Sequence, residues 1–391
     1  MTSRVERREP RARAGQLLRA GICGATLTFV LTLARPTLGS PLAEQLQRAS
    51  RTGNLANALV TRLVRTAVRG ADFPATATTP SFTYEFDPST GTYVRSSTSL
   101  GPEFAERSET IGRGRFDFGM GYLFVDFKTL DGNSLEGSRL GPETFELPRS
   151  RAIITQAATF SKFTLTSHVM SLNATYGLTD RWDVNLLLPV VSTSLDAAGQ
   201  SSTQIAGNVG GISTPFRVDD SRFGIGDVLL RTKYHVANTR LANIAVGLTA
   251  RLPAGRKEDF QGLGDLVLTP SFVASHTLGR HDIHMNLGFD VNTDDPQRDR
   301  VRYAMGATLQ LSDRVAFLAD ILGSSGVAAD TFTDQSGHRD EVPRSDDVFA
   351  APGLKFELHG SVVAFVGAVI PLTSNGVQAD VLPAGGIEFT L

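Results

Sequence analysis

The sequence predicts an all-β fold: a transmembrane antiparallel up-and-down β-barrel of about 12 strands, preceded by an N-terminal helix and an irregular arm. Three observations predict it. From Gly112 to the last residue, apolar and polar side chains alternate with a period of two, segment after segment. Most of these segments run to about ten residues or more, the length a tilted strand needs to cross a hydrocarbon core, where soluble strands average about five or six. The connections alternate between short and long, as in a meander with tight turns on one rim and loops on the other.

Residues 1–39 differ in kind from the rest. Arg4, Arg7, Arg8, Arg11, Arg13 and Arg19 form a basic head, followed by the apolar stretch Gly21–Ala34 and the small residues Gly39 and Ser40. This pattern is that of a secretory signal peptide. Cleavage is expected between Gly39 and Ser40, with the bond after Ala43 as second choice. The apolar run is too short for a membrane-spanning helix. Ile22 before Cys23 does not fit a lipoprotein signal. Cys23 is the sole cysteine of the chain, so its removal excludes disulfides and thiol chemistry from the remainder. Residues 1–39 hold seven Arg and two Glu, and taking their +5 from the chain's −2 leaves about −7. That charge excludes the basic footprint of a nucleic-acid binder.

The stretch 40–111 is expected to form a helix and an irregular arm, either in the periplasm or plugging the lumen. Over residues 43–69, Ala56, Leu59, Val60, Leu63, Val64 and Ala67 share one helical face, opposite Arg51, Arg62, Arg65 and Arg69. Residues 71–110 are rich in Pro, Thr and Ser and keep no period.

Residues 112–391 form the barrel. Strands are expected at about 114–127, 163–176, 182–192, 225–236, 243–253, 265–275, 281–291, 300–311, 315–322, 347–358, 362–372 and 381–391. The first shows the pattern well. Phe116, Phe118, Met120, Tyr122 and Phe124 alternate with Asp117, Gly119 and Gly121. A barrel in lipid turns its apolar face outward and encloses a polar lumen. On that reading Trp182, Val184, Leu186, Leu188 and Val190 face lipid, while Asp183 and Asn185 face inward. Pro189, Pro253 and Pro371 are expected near the outer ends of their strands, where pairing loosens.

The inward charges are the candidate functional residues. They are Asp117, Asp227, Arg231, Lys233, Arg251, Asp290, Arg300, Arg302, Lys355, Glu357 and Glu388. They either pair across strands and fill the barrel or line a permeation path. Their mixed signs argue against strong ion selectivity. Gly119, Gly121, Gly247, Gly288 and Gly306 share that face and make room or allow curvature.

Other constellations carry less. His281 and His284, three apart on a strand, point to opposite faces and cannot share a metal ion. The acidic run Asp290–Asp295 lacks the Gly and Glu that a calcium loop requires. His168 has Thr166 and Met170 as same-face neighbours and Ser167 on the other face, so its own strand offers no adjacent nucleophile, and a cross-strand partner stays open. No cofactor is expected.

The segments "YGLTDRWDVNLLLPVV" (176–191), "GIGDVLLRTKYHV" (224–236), "GLTARLPAG" (247–255), "GLGDLVLTPSFVAS" (262–275) and "LQLSDRVAFLADI" (309–321) resemble the family called "MetA-pathway of phenol degradation". That resemblance covers residues 112–391 and implies an outer-membrane barrel akin to the hydrophobic-compound channels. It implies passive passage of small, hydrophobic or aromatic molecules, and it supplies no catalytic residues. Barrels of this class usually end in an aromatic residue read by the insertion machinery. Here Leu391 is last and Phe389 stands two places earlier. The expected partners are outer-membrane lipid, a small-molecule solute and the barrel-insertion machinery, and the expected location is the bacterial outer membrane. The alternatives are a structural or adhesive barrel without transport, and an outer-membrane hydrolase.

Overall fold

The structure is a computed structural model that describes residues 40–50, 80–97, 99–146, 153–205, 211–333, 339–342 and 344–391. The expected signal peptide and residues 51–69 of the expected helix lie outside the described residues. The helical part that is described is α1 (Leu42–Ser50).

Among the described residues twenty strands follow in chain order. The arm contains a hairpin, β1 (Tyr84–Asp87) and β2 (Thr92–Arg95), which its lack of a sustained period did not suggest. Then come β3 (Phe116–Leu130), β4 (Asn133–Ser134), β5 (Arg139–Glu146), β6 (Ile153–Thr179), β7 (Trp182–Ile205) and β8 (Ile212–Ile225). They are followed by β9 (Val228–Asn238), β10 (Asn243–Leu252), β11 (Val267–Leu278), β12 (His281–Asn292), β13 (Arg300–Ser312) and β14 (Val315–Gly326). The last are β15 (Asp330–Thr333), β16 (Arg339–Val342), β17 (Asp346–His359), β18 (Val362–Pro371), β19 (Val377–Ala379) and β20 (Leu382–Thr390).

Twelve of these form a closed antiparallel ring. Its order is β3, β6, β7, β9, β10, β11, β12, β13, β14, β17, β18 and β20, and β20 pairs back onto β3. These are the twelve strands the alternation predicts. The seam closes end to end: Phe116 N–H donates to Leu391 O at 3.2 Å, and Leu391 N–H donates to Phe116 O at 2.7 Å. Closure leaves no unpaired edge, which a strand in hydrocarbon could not tolerate.

The faces sort as lipid requires. Met120, Tyr122, Trp182, Leu186, Val246, Leu248, Met285 and Met305 are exposed on the outside. Asp117, Asp183, Asn185, Arg251, His284, Asp290, Arg300, Asp320 and Lys355 are buried inside. A water-soluble barrel would show the reverse.

Three expectations need correction. Residues 128–162 and 193–224, expected as loops, largely continue the sheet. β6 and β7 pair without break from Thr179↔Trp182 to Ile154↔Ile205 apart from local bulges, and β8 pairs with β7. These extensions rise past the ring on the long-loop side. Polar residues there stand on both faces, as in "TQAATFSKFTLTS", so the contrast that marks a membrane strand is missing. Pro189 is therefore inside its strand. It sits where β7 changes partner, from β9 (Trp182–Leu187) to β8 (Val190–Thr203). A residue without an N–H fits at such a junction, and its carbonyl accepts from Gly226 at 2.8 Å.

The third correction concerns the interior, which is not polar throughout. Leu123, Val125, Phe127, Leu165, Val169, Leu318, Leu322, Phe349 and Phe365 form an apolar core inside the ring. Leu42 and Leu46 of α1 join this core from the long-loop rim, and Phe104 of the arm joins it in mid-barrel. Phe104 meets Phe365 edge-on, with ring centres 5.5 Å apart.

Candidate functional site: a barrel interior crossed by the arm

An irregular chain inside a barrel must find partners for its backbone N–H groups, because no water-filled loop environment supplies them. Inward side chains of the ring do this for residues 100–111. Leu100 N–H donates to Gln310 Oε1 at 3.0 Å, and Phe104 N–H to Asp320 Oδ2 at 3.2 Å. Glu106 N–H donates to Asn286 Oδ1 at 2.7 Å, and Ser108 N–H to Ser275 Oγ at 2.8 Å. Ile111 N–H donates to Asp183 Oδ2 at 3.0 Å. The row runs across β13, β14, β12, β11 and β7, so the arm traverses the lumen instead of following one wall.

Cations complete the contact. Lys233 Nζ donates to the carbonyls of Arg107 and Glu109 at 2.8 and 2.9 Å. Lys355, 1% exposed, donates to Pro102 O at 2.7 Å and to Ser81 Oγ at 3.1 Å, and pairs with Glu103 at 3.0 Å. Burial pushes the Glu103 carboxyl above its ordinary value, with Lys355 opposing and the Glu388 carboxylate adding to the rise. Burial also pushes Glu109 up, but the Arg107 charge and a hydrogen bond from Asn243 outweigh it and hold Glu109 below its ordinary value. Arg107 reaches Asp282 at 3.0 Å. Gly306 lets the arm approach: a Cβ there would meet Asp320 and stand 3.0 Å from Ala105 Cβ.

The eleven expected residues divide into two sets. Arg231, Lys233, Lys355, Glu357 and Glu388 contact the arm. Arg231 lies 3.7 Å from Glu106, Glu357 pairs with Arg95 at 3.1 Å, and Glu388 accepts from Ser81 Oγ at 2.9 Å. The others are engaged by the ring and its loops. Asp117 accepts from Thr390 Oγ1 at 2.7 Å. Asp227 accepts the N–H groups of Gly255 and Leu263 at 3.1 and 2.8 Å and lies 3.8 Å from Arg251. Asp290 pairs with Arg302 at 2.6 Å, and Arg300 with Asp347 at 2.7 Å. Sequence reasoning omitted Asp282, Asp320, Gln310 and Arg107 from the candidates. A lone acid in "VAFLADIL" is a signal for Asp320. For Arg107 no periodicity existed to reveal it.

At the long-loop rim, α1 is docked by polar contacts. Leu42 N–H donates to Asp259 Oδ1 at 3.0 Å, Gln45 Nε2 to Asp220 Oδ2 at 2.7 Å, and Arg222 Nη2 to Ser40 O at 2.6 Å. At the other rim the β1–β2 hairpin meets the short turns, with Tyr93 Oη donating to Asp180 Oδ1 at 2.9 Å.

The histidines fall as their spacing requires. His281 is exposed, whereas His284 is buried against Ser275 Oγ at 3.0 Å. His168 faces outward, 2.7 Å from Tyr122 Oη and ring-to-ring with Phe124 at 4.9 Å, while Ser167 points inward toward Thr193. This is an aromatic cluster on the outer surface; Ser192 of β7 stands opposite His168 in the ladder, and the hydrogen bond of the imidazole goes to Tyr122.

The family model described as "MetA-pathway of phenol degradation" matches residues 149–375. No protein of curated function matches the chain. Among solved structures, an outer-membrane channel from Pseudomonas putida F1 is similar at 13% identity, covering 73% of this chain and 98% of that one, with a TM-score of 0.47. A Pseudomonas aeruginosa FadL homologue is similar at 10% identity, covering 74% and 95%, with a TM-score of 0.36. The Ralstonia pickettii toluene transporter TbuX is similar at 12% identity, covering 71% and 90%, with a TM-score of 0.36.

Proposed function

Because the chain belongs to the "MetA-pathway of phenol degradation" family, whose model spans more than half of it, we propose that it is an outer-membrane channel giving passive passage to small hydrophobic or aromatic molecules. The observation that carries this reading is the interior itself. An apolar wall extends from Leu42 and Leu46 at the long-loop rim to Phe104 in mid-barrel. The segment that blocks the way is held by hydrogen bonds and ion pairs from scattered side chains, not by a sheet ladder. On this reading the arm is a plug that can be displaced. The inward charges act in two ways: those touching the arm hold the plug, and those paired within the wall shape the path around it. The long-loop rim is the external face, and the short-turn rim is periplasmic.

The remaining elements of the reading rest on the sequence. Residues 1–39 direct export and are cleaved before Ser40. The strand β20, which carries Phe389, is what the insertion machinery reads. N-terminal sequencing of protein recovered from the outer-membrane fraction tests both export and cleavage.

The decisive experiment is reconstitution in planar bilayers. The full chain is expected to show low, intermittent conductance, and deletion of residues 41–110 a large, steady one. Absence of conductance or solute flux in both forms would reject the channel and favour a structural or adhesive barrel. The tall β6–β7–β8 wall above the ring would then be its working surface.

A further inference from the structure

Two chambers flank the arm where it crosses the lumen. The first, of about 120 Å³, is enclosed by β9 to β14, with Phe104 and Glu106 of the arm on its lining. The second, of about 60 Å³, is enclosed by β3, β6, β17, β18 and β20, with Glu103 of the arm on its lining. They reach different depths. Thr249, Ser271 and Arg302 of the first are six or more residues from the short-turn ends of their strands. Asp117, Val363 and Glu388 of the second are within two residues of theirs. The two chambers therefore lie in series between the long-loop rim and the short-turn rim.

One aromatic pair stands between them. Phe104 lines the first chamber and Phe365 the second, and the two rings meet edge-on with centres 5.5 Å apart. The backbone around Phe104 is pinned on both sides. Lys355 holds Pro102 O and Glu103, Asp320 takes the Phe104 N–H, and Asn286 takes the Glu106 N–H. The ring has no such tether. It turns about two side-chain torsions, and its partner across the gap is held by dispersion and ring quadrupole alone. Behind Phe365 the wall is bare. Gly353 and Gly367 face each other in the β17–β18 ladder, and a Cβ on either would stand 2.9 Å from the Phe365 ring. The glycine pair is a recess that keeps this ring against the wall and out of the path.

We propose that Phe104 and Phe365 are the selectivity gate of the channel. A solute about one ring across moves from the first chamber to the second when the Phe104 ring swings aside, with the arm still docked. A wider solute needs the arm released. The inference rests on the channel reading and places the barrier for small solutes in two side chains, where displacement of the whole arm would break its ion pairs and hydrogen bonds together.

The test uses the full chain in planar bilayers and in liposomes. Arabinose and sucrose, neutral solutes that lipid holds back, serve as probes of cross-section in liposome swelling. Phe104→Ala is expected to raise mean conductance and arabinose entry at least fivefold, with proteolysis within residues 99–111 as slow as in the wild-type chain. Sucrose is expected to enter only after deletion of residues 41–110. Gly353→Ala fills the recess and pushes the Phe365 ring toward Phe104, so its conductance is expected to fall below that of the wild-type chain. The two variants thus move conductance in opposite directions while every polar contact of the arm is kept. Wild-type conductance in Phe104→Ala would overturn the gate, as would a rise matched by faster proteolysis of residues 99–111, which marks release of the arm. A rise in Gly353→Ala would overturn it too. In each of these cases conductance after deletion of residues 41–110 leaves the channel reading standing. Silence of every form, the deletion included, overturns both.

Discussion

Arg107 of the arm and Asp282 of β12 form an ion pair at 3.0 Å with side chains only 3% and 7% exposed. Ser99 Oγ adds a hydrogen bond to the same carboxylate. Removing one partner of a dry ion pair strands the other, at a cost of about 3–5 kcal/mol. Asp282→Asn should therefore loosen the arm while leaving the ring intact, because Asp282 faces inward. The expected result is a higher open fraction in bilayers and faster proteolysis within residues 99–111. The double variant Arg107→Met with Asp282→Leu should recover part of the loss.

A second prediction concerns the glycine that admits the arm. Gly306→Val places methyl groups against Ala105 and Asp320. Overpacking of this kind costs about 1–3 kcal/mol. Conductance should rise as with Asp282→Asn, but with no change in its salt dependence, since no charge is altered.

Acidity should act on the arm in two opposing directions. Glu103 is held above its ordinary value by burial, so the docked arm binds that proton more tightly than a released one. Its contribution favours docking fully below the ordinary carboxylate value and fades as pH rises through the raised value. Glu109 is held below its ordinary value on balance. Its contribution is present above the ordinary value and is lost as pH falls through the lowered one. In Glu109→Gln only the first effect remains, so acidification should reduce the open fraction. In Glu103→Gln it should increase it. Conductance recorded from neutral to acid pH in the two variants checks the signs.

The outer belt makes a fourth prediction. Met305 is 60% exposed in mid-strand, paired with Met285 and Ile321. Met305→Arg should destabilise the barrel in lipid by about 2–4 kcal/mol, read by denaturant unfolding from vesicles. Arg302, an odd number of positions away on the same strand, already carries a charge without such a cost because it faces in.

Twelve strands were legible because lipid on one side and charge on the other give each segment full contrast. Where the sheet leaves the bilayer the contrast goes. The stretch from Ile153 to Lys162 of β6 reads as polar loop for that reason. On β14 the inward Ala316 and Leu318 are as apolar as the outward Ile321, which hides the acid at 320 among hydrophobic neighbours. Lys233, Lys355 and Glu388 could be picked out as inward charges. Their partners could not, since the arm has no repeat and its register against the wall is set only by the three-dimensional spacing of Gln310, Asp320, Asn286, Ser275 and Asp183.

That spacing also bears on biogenesis. The arm precedes the barrel in the chain, yet its acceptors are spread over β7, β11, β12, β13 and β14. Lys355 on β17 and Glu388 on β20 complete the set. A partly assembled sheet offers only some of these groups, at the wrong separations. The full complement exists once Phe116 and Leu391 have met across the seam. Only the closed ring presents the arm with its whole set of partners at once.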